Sequence, residues 1–190
     1  MELMLALATS LMALVLALGR LHSQRRYVAR KKESSAWAAW RNRTLCLSAE
    51  DIQGVDTSGN RSGDRQAYGV VVEWATPANA LTLAALADGT AVLQSSAGGD
   101  ALKADGAVEA ALVAKQLVAE ATGWLGELKA AALMPKPLWG NVRFYVLTRA
   151  GVFTAEEAEE ALEHRWSRLT PLYDLGAGLR DELRRVEREP

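Results

Sequence analysis

Chemistry needs reactive side chains in company, and few groupings in this chain supply it. The segment Ser95-Ser96-Ala97-Gly98-Gly99 is the first. Placed between a strand and a helix, such a turn could cradle a phosphate on its backbone N–H groups. It lacks the lysine and hydroxyl of a P-loop and the glycine spacing of a dinucleotide turn, so a plain strand-to-helix connection is the simpler expectation. Arg143 and Tyr145 form the second grouping. As alternate residues of a strand they share one face, where they could line a ligand surface with Ser95, Ser96, Gly98 and Gly99, or merely cover the sheet. The third is the acidic run Glu156, Glu157, Glu159, Glu160 and Glu163, which could attract a cation but reads better as a solvated helix surface.

The remaining reactive groups are isolated. Cys46 is the single cysteine, so no intrachain disulfide can form, and it reads as a small apolar residue. The two histidines are His22, in a basic run, and His164, near the end of a helix where a positive charge is favoured. No His-x-x-x-His or Cys-x-x-Cys spacing joins them into a metal site. Nothing in the spacing sets Ser95, Ser96 or Cys46 beside a histidine base. The expectation is therefore a domain without a catalytic constellation and with no cofactor.

The elements that must position these residues begin with a division of charge. Residues 1–45 hold eight Lys/Arg against Glu2 and Glu33, a balance of +6, whereas residues 46–190 carry a balance of -7. An acidic body is poorly suited to phosphate neutralisation, which argues against nucleic acid as a partner.

Leu3 to Gly19 is an uncharged run of 17 residues. As a helix it spans about 25 Å, the short end of what crosses a bilayer. Arg20, Arg25, Arg26, Arg30, Lys31 and Lys32 follow at once. That flank predicts a single-pass anchor in the inner membrane, with its C-terminal domain held cytoplasmic by the positive-inside rule and its basic residues against anionic lipid heads. Ala17-Leu18-Gly19 resembles a signal-peptidase site, but a secretory signal carries its basic residues before the apolar stretch. The even hydrophobicity around all faces argues against a buried core helix.

The organisation expected is an anchor over residues 1–19, a basic helical stalk over 20–47, a linker over 48–66 and a folded domain over 67–190. On the stalk Trp37 and Trp40 lie at i, i+3, on one helix face. A straight continuation puts Trp37 about 27 Å beyond Gly19, too far for the lipid interface. Docking on the folded domain or on a partner is expected instead. Ser48 to Asp51 can cap a single turn before Gly54, Gly59 and Gly63 break the chain.

From Ala67 the apolar period becomes two. Tyr68, Val70, Val72 and Trp74 alternate with Gly69, Val71 and Glu73. A second strand over Leu81–Leu86, an Asp88-Gly89 hairpin turn and a third strand over Thr90–Ser95 complete a meander. Asp105 can cap a helix running to Leu128, with Val108, Leu112, Leu117, Ala121, Leu125 and Leu128 as its buried stripe. Val142–Thr148 is a strand, and Val152-Phe153 a short one. Thr154 to Glu157 reads as a capping box that opens a helix. Thr170-Pro171 caps a last helix with Leu172, Leu175, Leu179, Leu183 and Val186 on one face. The order β-β-β-α-β-β-α-α implies an α+β fold, one mainly antiparallel sheet with helices over a face. Profilin, roadblock and longin modules have this general build.

Four stretches carry a closer resemblance. Tyr68-Gly69-Val70-Val71, Leu86 to Thr90, Ser95 to Gly99 and Val142 to Thr148 together resemble a set of small bacterial proteins of no known activity. The resemblance covers residues 67–180 and implies no active site. The function expected is a membrane-anchored, non-catalytic interaction module: an adaptor, scaffold or assembly subunit, with lipid and a protein partner or a second copy as its contacts. The alternative is a ligand-sensing or enzymatic domain with a pocket near Ser95–Gly99 and Arg143/Tyr145.

Overall fold

The alternating stretch that begins at Ala67 forms the central strand of a seven-stranded sheet. A computed structural model describes residues 33–55 and 64–188. Helix α1 (Ser35–Leu45) and a 3-10 turn (Ala49–Asp51) precede strands β1 (Ala67–Ala75), β2 (Ala80–Leu86), β3 (Ala91–Ser95) and β4 (Leu102–Lys103). Helix α2 (Val108–Trp124) leads to β5 (Lys129–Ala130), β6 (Asn141–Thr148) and β7 (Gly151–Ala158), and helices α3 (Glu159–Glu163) and α4 (Thr170–Arg188) close the chain. The strand order is β4-β3-β2-β1-β6-β7-β5, with every pairing antiparallel. The fold is thus α+β with an antiparallel sheet, as the alternation predicts. The predicted anchor and the cationic residues Arg20 to Lys32 lie outside the described residues. Among the described residues no helix is long and apolar enough to cross a membrane.

Both sheet faces are covered, not one. All nine residues of β1 are buried, which requires cover on either side. On one face Val70, Val72, Leu83, Phe144 and Val146 pack beneath α2 and α4. On the other, α1 and the 3-10 turn lie over Val71, Ala84, Tyr145 and Leu147. Helix α1 starts at the sheet end formed by Ala75, Ala80 and Ser96, where Ser34 N donates to Ser96 O at 2.9 Å. It finishes towards the opposite end, where the Tyr68 hydroxyl donates to Leu47 O at 2.6 Å.

Several expectations are corrected by pairing and packing. Tyr68 does not face the same way as Val70. The register against β6 shifts between Ala67 and Gly69, and this bulge turns Tyr68 to the α1 side, against Ala49, Ile52 and Leu147. Thr154 to Glu157 does not open a helix. Strand β7 runs unbroken from Gly151 to Ala158 because β6 offers an eight-residue edge to pair with, a ladder that outweighs one local cap. Thr154 Oγ1 instead donates to Phe144 O at 2.9 Å, and α3 starts only at Glu159. Helix α2 begins at Val108, not behind a cap at Asp105, and its buried stripe is Ala110, Ala114, Leu117, Val118 and Ala121, so Val108 and Leu112 are exposed. Alanines let the helix lie close to the sheet. A Cβ on Gly89 would meet Ala111 Cβ at 3.1 Å, so the β2–β3 turn also needs its glycine at φ +96°. Thr170 is the first residue of α4 and donates to Ser167 O at 2.8 Å instead of capping the helix.

Candidate functional site

Polar groups gather on the sheet face beneath α1. Helix α1 opens with Ser34 as N-cap, its hydroxyl oxygen accepting from Trp37 N. From there Trp37, Arg41, Thr44 and Leu45 fall on one helical stripe and are buried. Trp37 is fully enclosed, and its Nε1 donates to Thr82 Oγ1 at 3.2 Å. Thr82 Oγ1 donates in turn to Glu73 Oε1 at 3.0 Å. Glu73, fully buried, receives Arg41 Nε at 2.6 Å and Nη2 at 2.7 Å, a bidentate pair. Arg41 Nη2 also donates to the carbonyl of Met134 at 3.1 Å.

This network closes on itself. Burial works against the Arg41 charge, but the Glu73 hydrogen bonds and charge outweigh it and raise the guanidinium above its ordinary value. Burial also raises the Tyr145 hydroxyl, and the Glu73 carboxylate adds to that. Tyr145 is fully enclosed, lies beside Arg41 and donates to Pro135 O. The Arg41–Glu73 pair and the Trp37–Thr82 hydrogen bond thus fasten α1 to the sheet.

Of the two tryptophans expected to dock, Trp37 fills the space over β2, and Trp40 packs half-buried near Leu45, Val71 and Tyr145. Lys136 lies 5.1 Å from the Trp37 ring centroid and pairs with Glu33.

The Ser95–Gly99 segment does not stand between a strand and a helix. It joins β3 to the antiparallel strand β4, so no helix N-terminus follows it to meet an anion. Ser96 is buried, and its Oγ accepts from Ala80 N at 2.8 Å. Ser95 Oγ accepts from Asn79 Nδ2 at 3.2 Å and from Ala97 N at 3.2 Å. Gly98 and Gly99 take φ of +91° and +102°, which is what the turn requires of them. Gly98 lies against Ser34, so this turn seats the start of α1.

Nor does the structure bring that turn to Arg143 and Tyr145. Ser95 pairs with Leu81, Leu81 with Trp74 and Trp74 with Val142. Three strand spacings of ~4.8 Å keep the two groups roughly 14 Å apart. Arg143 and Tyr145 do share the α1 face, as alternation requires. Arg143 Nη2 pairs with Glu156, and its Nε is buried with no hydrogen-bond partner among the described residues. Glu156 faces this side and Glu157 the other, where it accepts from Ser167 Oγ at 3.2 Å. These two carboxylates belong to a strand, not to a solvated helix surface. His164 is the C-cap of α3 and lies against Trp166, with ring centroids 4.8 Å apart and planes tilted by 49°. No group of three or more His, Cys, Asp or Glu side chains among the described residues could hold a metal ion.

Sequence reasoning missed Arg41, Glu73 and Thr82. The signal was Glu73 itself, a carboxylate inside an otherwise apolar strand, which demands a buried partner. The class defined by fold and site is an antiparallel α+β domain with a helical strap closed over a satisfied ion pair. No protein-family model matches the chain, and no curated protein or solved structure matches it significantly.

Proposed function

We propose that this protein is a membrane-anchored, non-catalytic interaction module that serves as an adaptor, scaffold or subunit of a membrane-associated assembly. One observation carries the reading. Arg41, Glu73 and Thr82 beneath α1 are engaged in holding α1 to the sheet, while large apolar side chains are presented outward. Val108 and Leu112 on α2, Leu133, Leu138 and Trp139 before β6, and Trp166 before α4 are all exposed. Exposed apolar groups of this kind suit contact with another surface better than they suit a reaction. The anchor rests on the uncharged run Leu3 to Gly19 and the six cations that follow it within residues 20–32.

Cross-linking in native membranes, followed by light scattering of the detergent-solubilised full chain, tests the proposal. A homo-oligomer or a stoichiometric complex is expected. A chain that stays strictly monomeric and uncross-linked would overturn it. A reporter fused to the C-terminus should be active on the cytoplasmic side.

A further inference from the structure

The exposed apolar groups are not spread evenly. Three stretches meet at the Ala75 end of the sheet: residues 76–79 between β1 and β2, 95–99 from the last residue of β3 onward, and 137–141 up to the first residue of β6. Asn79 Nδ2 donates to Ser95 Oγ at 3.2 Å, and Gly140 N donates to Ala75 O at 3.1 Å, which ties them together. None of these fourteen residues is charged, and Asp100 and Lys136 border them. At their edge Leu138 is 63% and Trp139 is 50% exposed.

The backbone beneath this pair is braced. Glu156 Oε1 accepts from Leu138 N at 2.8 Å and from Asn141 Nδ2 at 2.7 Å. Asn141 N returns to Leu138 O at 3.0 Å, and Gly140 O accepts from Glu159 N at 2.9 Å. Gly140 turns the chain at φ +77°. A fixed loop thus holds a leucine and a tryptophan largely outward, and neither belongs to a buried core cluster.

The same end is where the chain passes towards its N-terminus. Ser34 N is bonded to Ser96 O, and Glu33 pairs with Lys136, which precedes Leu138 by two positions. Thirteen residues separate Glu33 from Gly19, and six of them are cationic. Even fully extended they reach only about 45 Å, and as a helix about 20 Å. An anchor at residues 1–19 would therefore hold this end close to the bilayer, behind a cationic collar.

We infer that the Ala75 end of the sheet seats on the bilayer surface, with Leu138 and Trp139 entering the headgroup–acyl boundary. Tryptophan is favoured at that depth because its ring is apolar and its N–H is polar. The uncharged tips lose little hydration there, and the Lys136 charge beside them is paired with Glu33. The occupant of this patch is lipid, and the seat fixes the orientation in which the rest of the domain meets its partners. The inference rests on the anchoring proposed above.

The test uses the full chain reconstituted in vesicles of mixed phosphatidylcholine and phosphatidylglycerol, with or without brominated acyl chains. Bromine should quench part of the wild-type tryptophan emission. Trp139→Phe should lose most of that quenching, and Trp166→Phe should keep it. Leu138→Cys, in a Cys46→Ser background and carrying a nitroxide, should be reached better by oxygen than by an aqueous nickel chelate. A vesicle-bound Trp139→Phe protein quenched as strongly as wild type, or a nitroxide fully open to nickel, overturns the seat while anchoring stands. A chain that fails to float with the vesicles removes the anchoring, and the seat with it.

Discussion

Arg41 and Glu73 are enclosed together, and each is tolerable only because the other completes its hydrogen bonding. Removing one partner leaves an uncompensated charge where water cannot reach it, an arrangement that costs about 3–5 kcal/mol. Glu73→Leu should therefore destabilise the domain by that amount in urea unfolding, through the stranded Arg41. The double variant Arg41→Met/Glu73→Leu should recover most of the loss, since apolar groups of similar volume suit a buried site. Equal destabilisation by the single and double variants would show that the pair is not coupled. The alternating pattern of β1 already marked Glu73 as an intruder on an apolar strand. Its partner was not legible, because Arg41 precedes it by 32 positions on a separate helix.

At the scale of elements, α1 is a strap whose attachment depends on Trp37. Truncating a fully buried tryptophan costs about 3–5 kcal/mol and here also deprives Thr82 of a donor. Trp37→Ala should expose the α1 amides to hydrogen exchange while the β1–β2 ladder keeps its protection. A uniform loss across all elements would mean that α1 and the sheet open as one unit. The tryptophan pair on one helix face announced docking, but nothing local said which surface would receive it. Strand β7 shows the opposite case. Thr154 to Glu157 has the local chemistry of a cap, yet the open edge of β6 makes it a strand. In α2, spacing alone could not tell an alanine stripe from the leucine and valine beside it, because the sheet's approach distance chooses between them.

For the molecule as a whole, three tyrosines report the closure of both faces. Burial raises Tyr68 and Tyr145, one over each half of the α1 face, with nearby carboxylates adding to the effect. On the helical side burial, then Glu159 and Glu163, push Tyr173 up to about 12. A hydroxyl whose pKa is higher in the folded than in the unfolded chain adds stability that is fully present below the unfolded value. That stability disappears as pH rises through the folded value. Unfolding free energy should therefore fall between about pH 10 and pH 12, and Tyr173→Phe should lessen the slope. Urea unfolding across that range measures both. An unchanged slope would show that Tyr173 titrates normally.

The order of apolar and polar residues determined β1, β2, β3 and β6 by itself. Period two, the Asp88-Gly89 turn and the proline breaks fix strands wherever side chains alternate between two environments, and such signals lie within a few neighbouring residues. The split of charge along the chain is equally local and needs no fold to be read. Tertiary structure alone decided the rest: the bulge that turns Tyr68, the strand at Thr154, the partner of Glu73, and the three loops that meet beside Trp139. Each depends on groups far apart in the chain arriving at one place. Neighbouring residues carry no information about that arrival until the sheet has closed.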